Sequence, residues 1–216
     1  AEFTMTVLQR VLLVRGLRGY TDGCISLVLP FYLTTLGLDA LQVGAIATAT
    51  MLGSGVISIG AGLSERRHGT RMLLLFAAVL MTFTGVGFSS FSDFWPLLIV
   101  AFIGTVNPSN GDVSLFLPLE HATIASATEM KQRTGAFAKY SLVGSVCNAL
   151  GALSAGLPQL LAGHGGIAMV DALKLVFVFY TLVGVAAFLV YRGLPVRAAP
   201  PPAASRAPLV ESRGVV

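Results

Sequence analysis

Charge is scarce in this chain. Of its 216 residues only 11% are Asp, Glu, Lys or Arg, less than half the roughly 25% of a soluble domain. A body of this size with so little charge lacks the polar surface to stay in water. That excludes an ordinary soluble enzyme, a disordered chain and a nucleic-acid module. Cysteine is nearly missing: Cys24 and Cys147 sit in apolar stretches without CxxC spacing and read as buried free thiols, not as a disulfide or metal site. The three histidines are scattered and suggest no ligand set. There is no nucleophile–base pair, phosphate-binding loop or metal-ligand spacing, so no enzyme, cofactor or metal is expected. No cleavable signal peptide is evident, and Ala1-Glu2-Phe3 before Met5 reads as a cloning scar.

What is present is apolar length. The chain is 55% hydrophobic with a mean hydropathy of +0.80, and its 24 glycines suit close helix packing in a bilayer. Spanning the hydrocarbon takes ~20 residues, and six stretches are long enough: 12–36, 41–63, 72–90, 95–119, 137–162 and 170–191. The fourth is interrupted at 107–112. The expected organisation is an N-terminal segment 1–11, an all-α six-helix transmembrane bundle over 12–191 and a Pro/Ala/Arg-rich tail over 192–216. The net charge of +4 follows the positive-inside pattern rather than nucleic-acid binding. Arg10, Arg15, Arg18, Arg66, Arg67, Arg71, Lys131, Arg133, Lys139, Arg192, Arg197, Arg206 and Arg213 fall on one side, and only Lys174 on the other. Both termini are therefore expected in the cytoplasm. Asp39, Asp93 and Asp171 mark the opposite side.

The loop after the second span reads Gly62-Leu63-Ser64-Glu65-Arg66-Arg67-His68-Gly69-Thr70-Arg71. Physically it is a tight basic turn beside headgroups. It also resembles the signature loop between the second and third helices of the major facilitator superfamily, with Gly62, Arg67, Gly69 and Arg71 in register. Arg66 stands where that pattern has an acid, and Glu65 comes one residue early. Residues 106–114, 116–120 and 140–145 resemble an uncharacterised bacterial branch of the superfamily, and the likeness covers most of 7–195. The resemblance implies the first half of a twelve-helix transporter in a bacterial cytoplasmic membrane, with the 62–71 loop as its cytoplasmic gate. The fifth span has Gly151 and Gly156 but lacks the Gly-Pro pair of drug–proton antiporters.

Several polar residues inside the spans are candidates for chemistry. Arg15, Arg18 and Asp22 share one helical face, at i, i+3 and i+7. Asp22 lies ~21 Å from the outer end of its span. A carboxylate at that depth is a functional candidate, paired with Arg18, or else a structural ion pair at the mouth. In the fourth span Asn107, Asn110 and Ser114 share a face and Asp112 lies nearly opposite. Pro108 and Gly111 allow a broken helix that binds an ion or solute, or a kinked packing helix. In the fifth span Ser141, Ser145, Asn148, Ala152 and Ala155 form a small-residue stripe that reads as a packing face, although Asn148 is also a substrate candidate. Glu120, just past the fourth span and after Pro118, is expected in water beside His121. Asp171 and Lys174 are expected to form an exposed pair.

The reading is a secondary transporter half that moves a small solute by alternating access, with a proton as candidate coupling ion. Arg18, Asp22, Asn107, Asn110, Asp112 and Asn148 are its candidate pathway; Gly62, Glu65, Arg66, Arg67, Gly69 and Arg71 are its candidate gating loop. A six-helix half cannot rock against itself, so a second six-helix bundle is expected: a C-terminal half, a separate chain or a second copy. The alternative is a membrane scaffold subunit that keeps the fold without transporting. No nucleic acid is an expected partner.

Overall fold

The computed structural model describes residues 5–106 and 115–195, the side chains of 65–67 and 164–165 excepted. Among these residues the secondary structure is helical, without a strand. Helix α1 (Val7–Thr35) begins with a capping box. Gln9 N donates to Thr6 Oγ1 at 3.3 Å, and Gln9 Oε1 accepts from Thr6 N at 2.9 Å. The cap explains why the helix starts before the apolar run does. It ends in a Schellman turn: Gly37 takes φ 86°, Leu38 N donates to Leu33 O and Gly37 N to Thr34 O. Asp39 and Gln42 form the second capping box, and α2 (Ala40–Ser90) follows at once.

Two spans joined by a short loop were expected here, and α2 is two helical arms separated by a break at Gly69, whose φ of 73° and ψ of 151° belong to a region open in practice only to glycine. Its arms, Ala40–Ser64 and His68–Ser90, are each long and apolar enough to cross a membrane. So are Met130–Gly163 and Met169–Arg192. The first of these comprises α5 (Arg133–Leu153), a 3-10 turn at Ser154–Gly156 and α6 (Leu157–Gly165). Pro158 near the start of α6 has no N–H to continue the α-helical ladder, which accounts for the change of pitch. Helix α7 (Met169–Arg192) completes the bundle.

The fourth span differs most from the sequence expectation. It comprises α3 (Phe94–Ile103) and α4 (Phe116–Ala127). The polar cluster between them lies outside the described residues, as does the tail from 196. The span was expected to end at residue 119, just after Pro118. That proline stands instead in the first turn of α4, where a missing N–H costs nothing. The helix therefore continues past Glu120.

Helix α1 is central and packs most closely on α5, while α2 packs on α7 and α3. The α1–α5 contact is backbone against backbone. A Cβ on Gly23 would stand 2.0 Å from Asn148 O, and one on Gly151 would stand 1.9 Å from Tyr20 O. The packing face of α5 thus runs through Gly144, Asn148 and Gly151. Ser141 and Ser145, expected on it, are exposed. Only the glycines let the two backbones approach this closely, and they set the face.

At the acidic end of the bundle an aromatic cluster joins α1, α2 and α7. Tyr32, fully buried, donates to Phe88 O at 2.8 Å and to Phe91 O at 3.2 Å. Phe177 lies 5.0 Å from the Tyr32 ring and 5.1 Å from Phe88. The outer surface carries Leu41, Ile59, Leu63, Trp95, Leu153 and other large apolar side chains, a surface suited to lipid rather than water.

Candidate functional site

Because α4 begins at Phe116, Glu120 lies one turn inside it and points into the bundle, with 0% of its surface exposed. The expectation that it sits in water is overturned. Arg18 of α1, itself 2% exposed, places Nη1 2.9 Å from Glu120 Oε1. Tyr191 of α7 donates its hydroxyl to the same oxygen, and Tyr140 of α5 donates to Oε2. Four helices thus meet on one carboxylate. Taking two charges out of water costs several kcal/mol each, and such a pair persists only when its remaining lone pairs are also satisfied. The tyrosines supply that satisfaction.

Aromatic rings pack around this network. The Arg18 guanidinium lies 3.6 Å from the centroid of the Phe116 ring, and that of Arg15 lies 4.8 Å from Tyr140. His121 contacts the edges or faces of Phe137 and Tyr140, at 5.0 Å to each centroid. The network lies about 17 Å along α1 from Val7, at the basic end of the bundle.

A second polar layer lies further in. Beyond α3, Gly104 is extended, and Thr105 N donates to Thr84 Oγ1 at 3.2 Å. The Thr105 hydroxyl meets Tyr180 OH at 3.0 Å. The end of α3 is thereby tied to α2 and α7. Asp22, half-buried, lies within electrostatic reach of both Arg18 and Tyr180. Arg18 is therefore paired with Glu120 and also feels the charge of Asp22.

The candidate pathway residues fall into three groups. Arg18 and Asp22 come together with Glu120. Asn148 is half-buried on α5, its backbone pressed against Gly23. Asn107, Asn110 and Asp112 lie outside the described residues. In the candidate gating loop, Gly62 faces open space and Gly69 makes the bend. Arg71 Nη2 donates to Arg192 O at 2.6 Å. The side chains of Glu65, Arg66 and Arg67 are outside the description. Lys174 reaches Ser92 Oγ at 3.1 Å rather than pairing with Asp171. Cys24 is a buried free thiol, and Cys147 is free but only half-buried.

The sequence reading missed Glu120, Tyr140 and Tyr191. A signal was available for the first: Phe116, Leu117, Leu119 and Ile124 continue an apolar run around Glu120, with a proline at its start. The tyrosines carry no such signal, because nothing local marks a hydroxyl as the partner of a distant carboxylate.

An all-helical bundle with lipid-suited outer faces and a satisfied ion pair sealed inside defines a polytopic membrane protein. The profile of the Major Facilitator Superfamily matches residues 11–215, and the chain belongs to that family. An uncharacterised membrane protein from Saccharomyces cerevisiae is 30% identical over 166 residues, which are 76% of this chain and 37% of that relative. The chain thus spans little more than a third of the relative's length. Members of the family are membrane transporters.

Proposed function

We propose that the protein is one six-helix half of a secondary transporter that moves a small solute by alternating access, with Asp22 as the proton-coupling carboxylate. The observation that carries the reading is Arg18, paired with the sealed Glu120 at 2.9 Å and one helical turn from the half-buried Asp22 on α1. The network leaves one carboxylate locked away and the other near the bundle surface, beside the same cation. Asp112 is retained as a second candidate carboxylate. Asn107, Asn110 and Asn148 are the proposed neighbours along the pathway, and the 62–71 loop is the proposed gate.

The proposed partner is a second six-helix bundle, whether a C-terminal half, a separate chain or another copy. Its support is one face of the first arm of α2, where Gly44, Gly55 and Gly62 look into open space, together with exposed Ser141 and Ser145 on α5. Lipid gains nothing from small residues, whereas a helix packs on them. The bias of Lys and Arg supports cytoplasmic termini, and the resemblance to a bacterial branch supports a bacterial cytoplasmic membrane.

Thiol accessibility tests the reading without knowledge of the solute. In a background lacking Cys24 and Cys147, a cysteine at 22 should react with a membrane-impermeant maleimide in sealed vesicles. Protection from both faces of the membrane would favour a scaffold that keeps the fold, and would sink the transport reading.

A further inference from the structure

The last turn of α7 is held from three directions. Tyr191 is fully buried and donates to Glu120 of α4. The next carbonyl, Arg192 O, accepts from Arg71, two residues past the Gly69 bend. Gly193 lies under Arg10 of α1, where a Cβ would stand 2.0 Å from Arg10 Nη1. Leu194 is then buried in the core. Carbonyls at a helix C-terminus have no intrahelical partner, and an arginine that reaches them also meets the negative end of the helix dipole. Here that arginine belongs to the candidate gating loop, and the neighbouring residue belongs to the charge network.

We infer that the last turn of α7 couples the 62–71 loop to the buried charge network, with Arg71 and Tyr191 as its two positioning residues. The chain of contacts is continuous: Arg71 to the Arg192 carbonyl, Tyr191 to Glu120, Glu120 to Arg18, and Arg18 to the field of Asp22. A rotation at the Gly69 bend withdraws the Arg71 guanidinium from Arg192 O. The turn that carries Tyr191 then loses its anchor, and Glu120 loses one of its three donors. In the reverse direction, a displaced Tyr191 shifts the carbonyl that Arg71 grips. Such coupling needs an element with two arrangements that both sites bias, and a helix end held by one external hydrogen bond on each side is a suitable one. The purpose of the coupling rests on the transport reading above; the coupling itself does not.

Amide hydrogen exchange on the full chain in lipid nanodiscs tests it, because exchange reports local opening. The samples are the wild type, R71Q, Y191F and the double variant. R71Q should raise exchange in the 116–127 peptide of α4 by about threefold or more, the range of coupling between members of one network. In the Y191F background R71Q should add nothing. Peptides around Tyr32 and Phe88, at the far end of the bundle, should be unchanged, which a general loosening of the fold would not leave so. Unchanged α4 exchange in R71Q, effects of R71Q and Y191F that multiply, or a rise that reaches the far end each overturns the inference. If R71Q does not fold, R71K runs the same cycle. Lysine keeps the charge but loses the fork geometry, so its smaller effect must likewise vanish in Y191F. Exchange is read without solute, so a failure here leaves transport untouched, and a failure of the transport reading leaves this test intact.

Discussion

Replacing Glu120 by methionine removes the carboxylate on which α1, α4, α5 and α7 converge, at similar volume. Arg18 is then left 2% exposed with the counter-charge at 2.9 Å gone, and the Tyr140 and Tyr191 hydroxyls lose their acceptor. Breaking a buried pair by deleting one partner costs about 3–5 kcal/mol, and each orphaned hydroxyl adds roughly 1–3 kcal/mol. Asp22 offsets part of the loss at Arg18, so the lower half of that sum is expected, about 5–8 kcal/mol. Removing both charges in R18M/E120M deletes the uncompensated guanidinium and leaves only the two hydroxyls. The double variant should therefore be more stable than E120M by about 3 kcal/mol, though still below the wild type. At roughly 2–4 °C per kcal/mol for a chain of this size, E120M should melt well below the wild type, with the double variant between them. Thermal unfolding in nanodiscs, followed by thiol-reactive fluorescence at Cys24, reads the order. If E120M melts within about 2 °C of the wild type, which is under ~1 kcal/mol, or if the double variant melts below E120M, the network is not what holds these four helices together.

Three further outcomes follow from particular contacts. G151A brings a methyl into the Tyr20 carbonyl, at 1.9 Å before relaxation, so α1 and α5 must separate; a loss of about 1–3 kcal/mol is expected in the same melting assay, and a neutral G151A would remove the close-approach argument. G69A forces a side chain into a conformation that glycine alone adopts readily. It should cost about 1–3 kcal/mol and open the loop to limited proteolysis while the arms of α2 stay protected. Y32F deletes a hydroxyl that serves two carbonyls; about 1 kcal/mol should be lost, with no change in exchange around Glu120, since the two clusters sit at opposite ends of the bundle.

Much of this protein is written locally in its sequence. Charge scarcity and apolar runs of bilayer length define a membrane bundle, because transfer free energy depends on composition over ~20 residues and not on contacts. The capping boxes at Thr6 and Asp39 and the turn at Gly37 are local too, since their donors and acceptors lie within a few residues of each other. The shared face of Arg15, Arg18 and Asp22 follows from helix periodicity alone. Periodicity cannot say what a face meets. Asp22 lies one turn from Arg18 on that face, but nothing local reveals the ion pair that Arg18 makes at 2.9 Å with Glu120, 102 positions on in sequence. Of the stripe expected in the fifth span, Asn148 lies on the packing face and Ala155 packs on the core, but Ser141 and Ser145 are exposed, because which face packs is decided by where glycines of two helices let backbones touch. Glu120 was expected in water because it falls just past the end of the fourth apolar stretch at residue 119. Only the assembled bundle shows that Pro118 begins a helix, and that burial is affordable there because three other helices bring a cation and two hydroxyls to the same carboxylate.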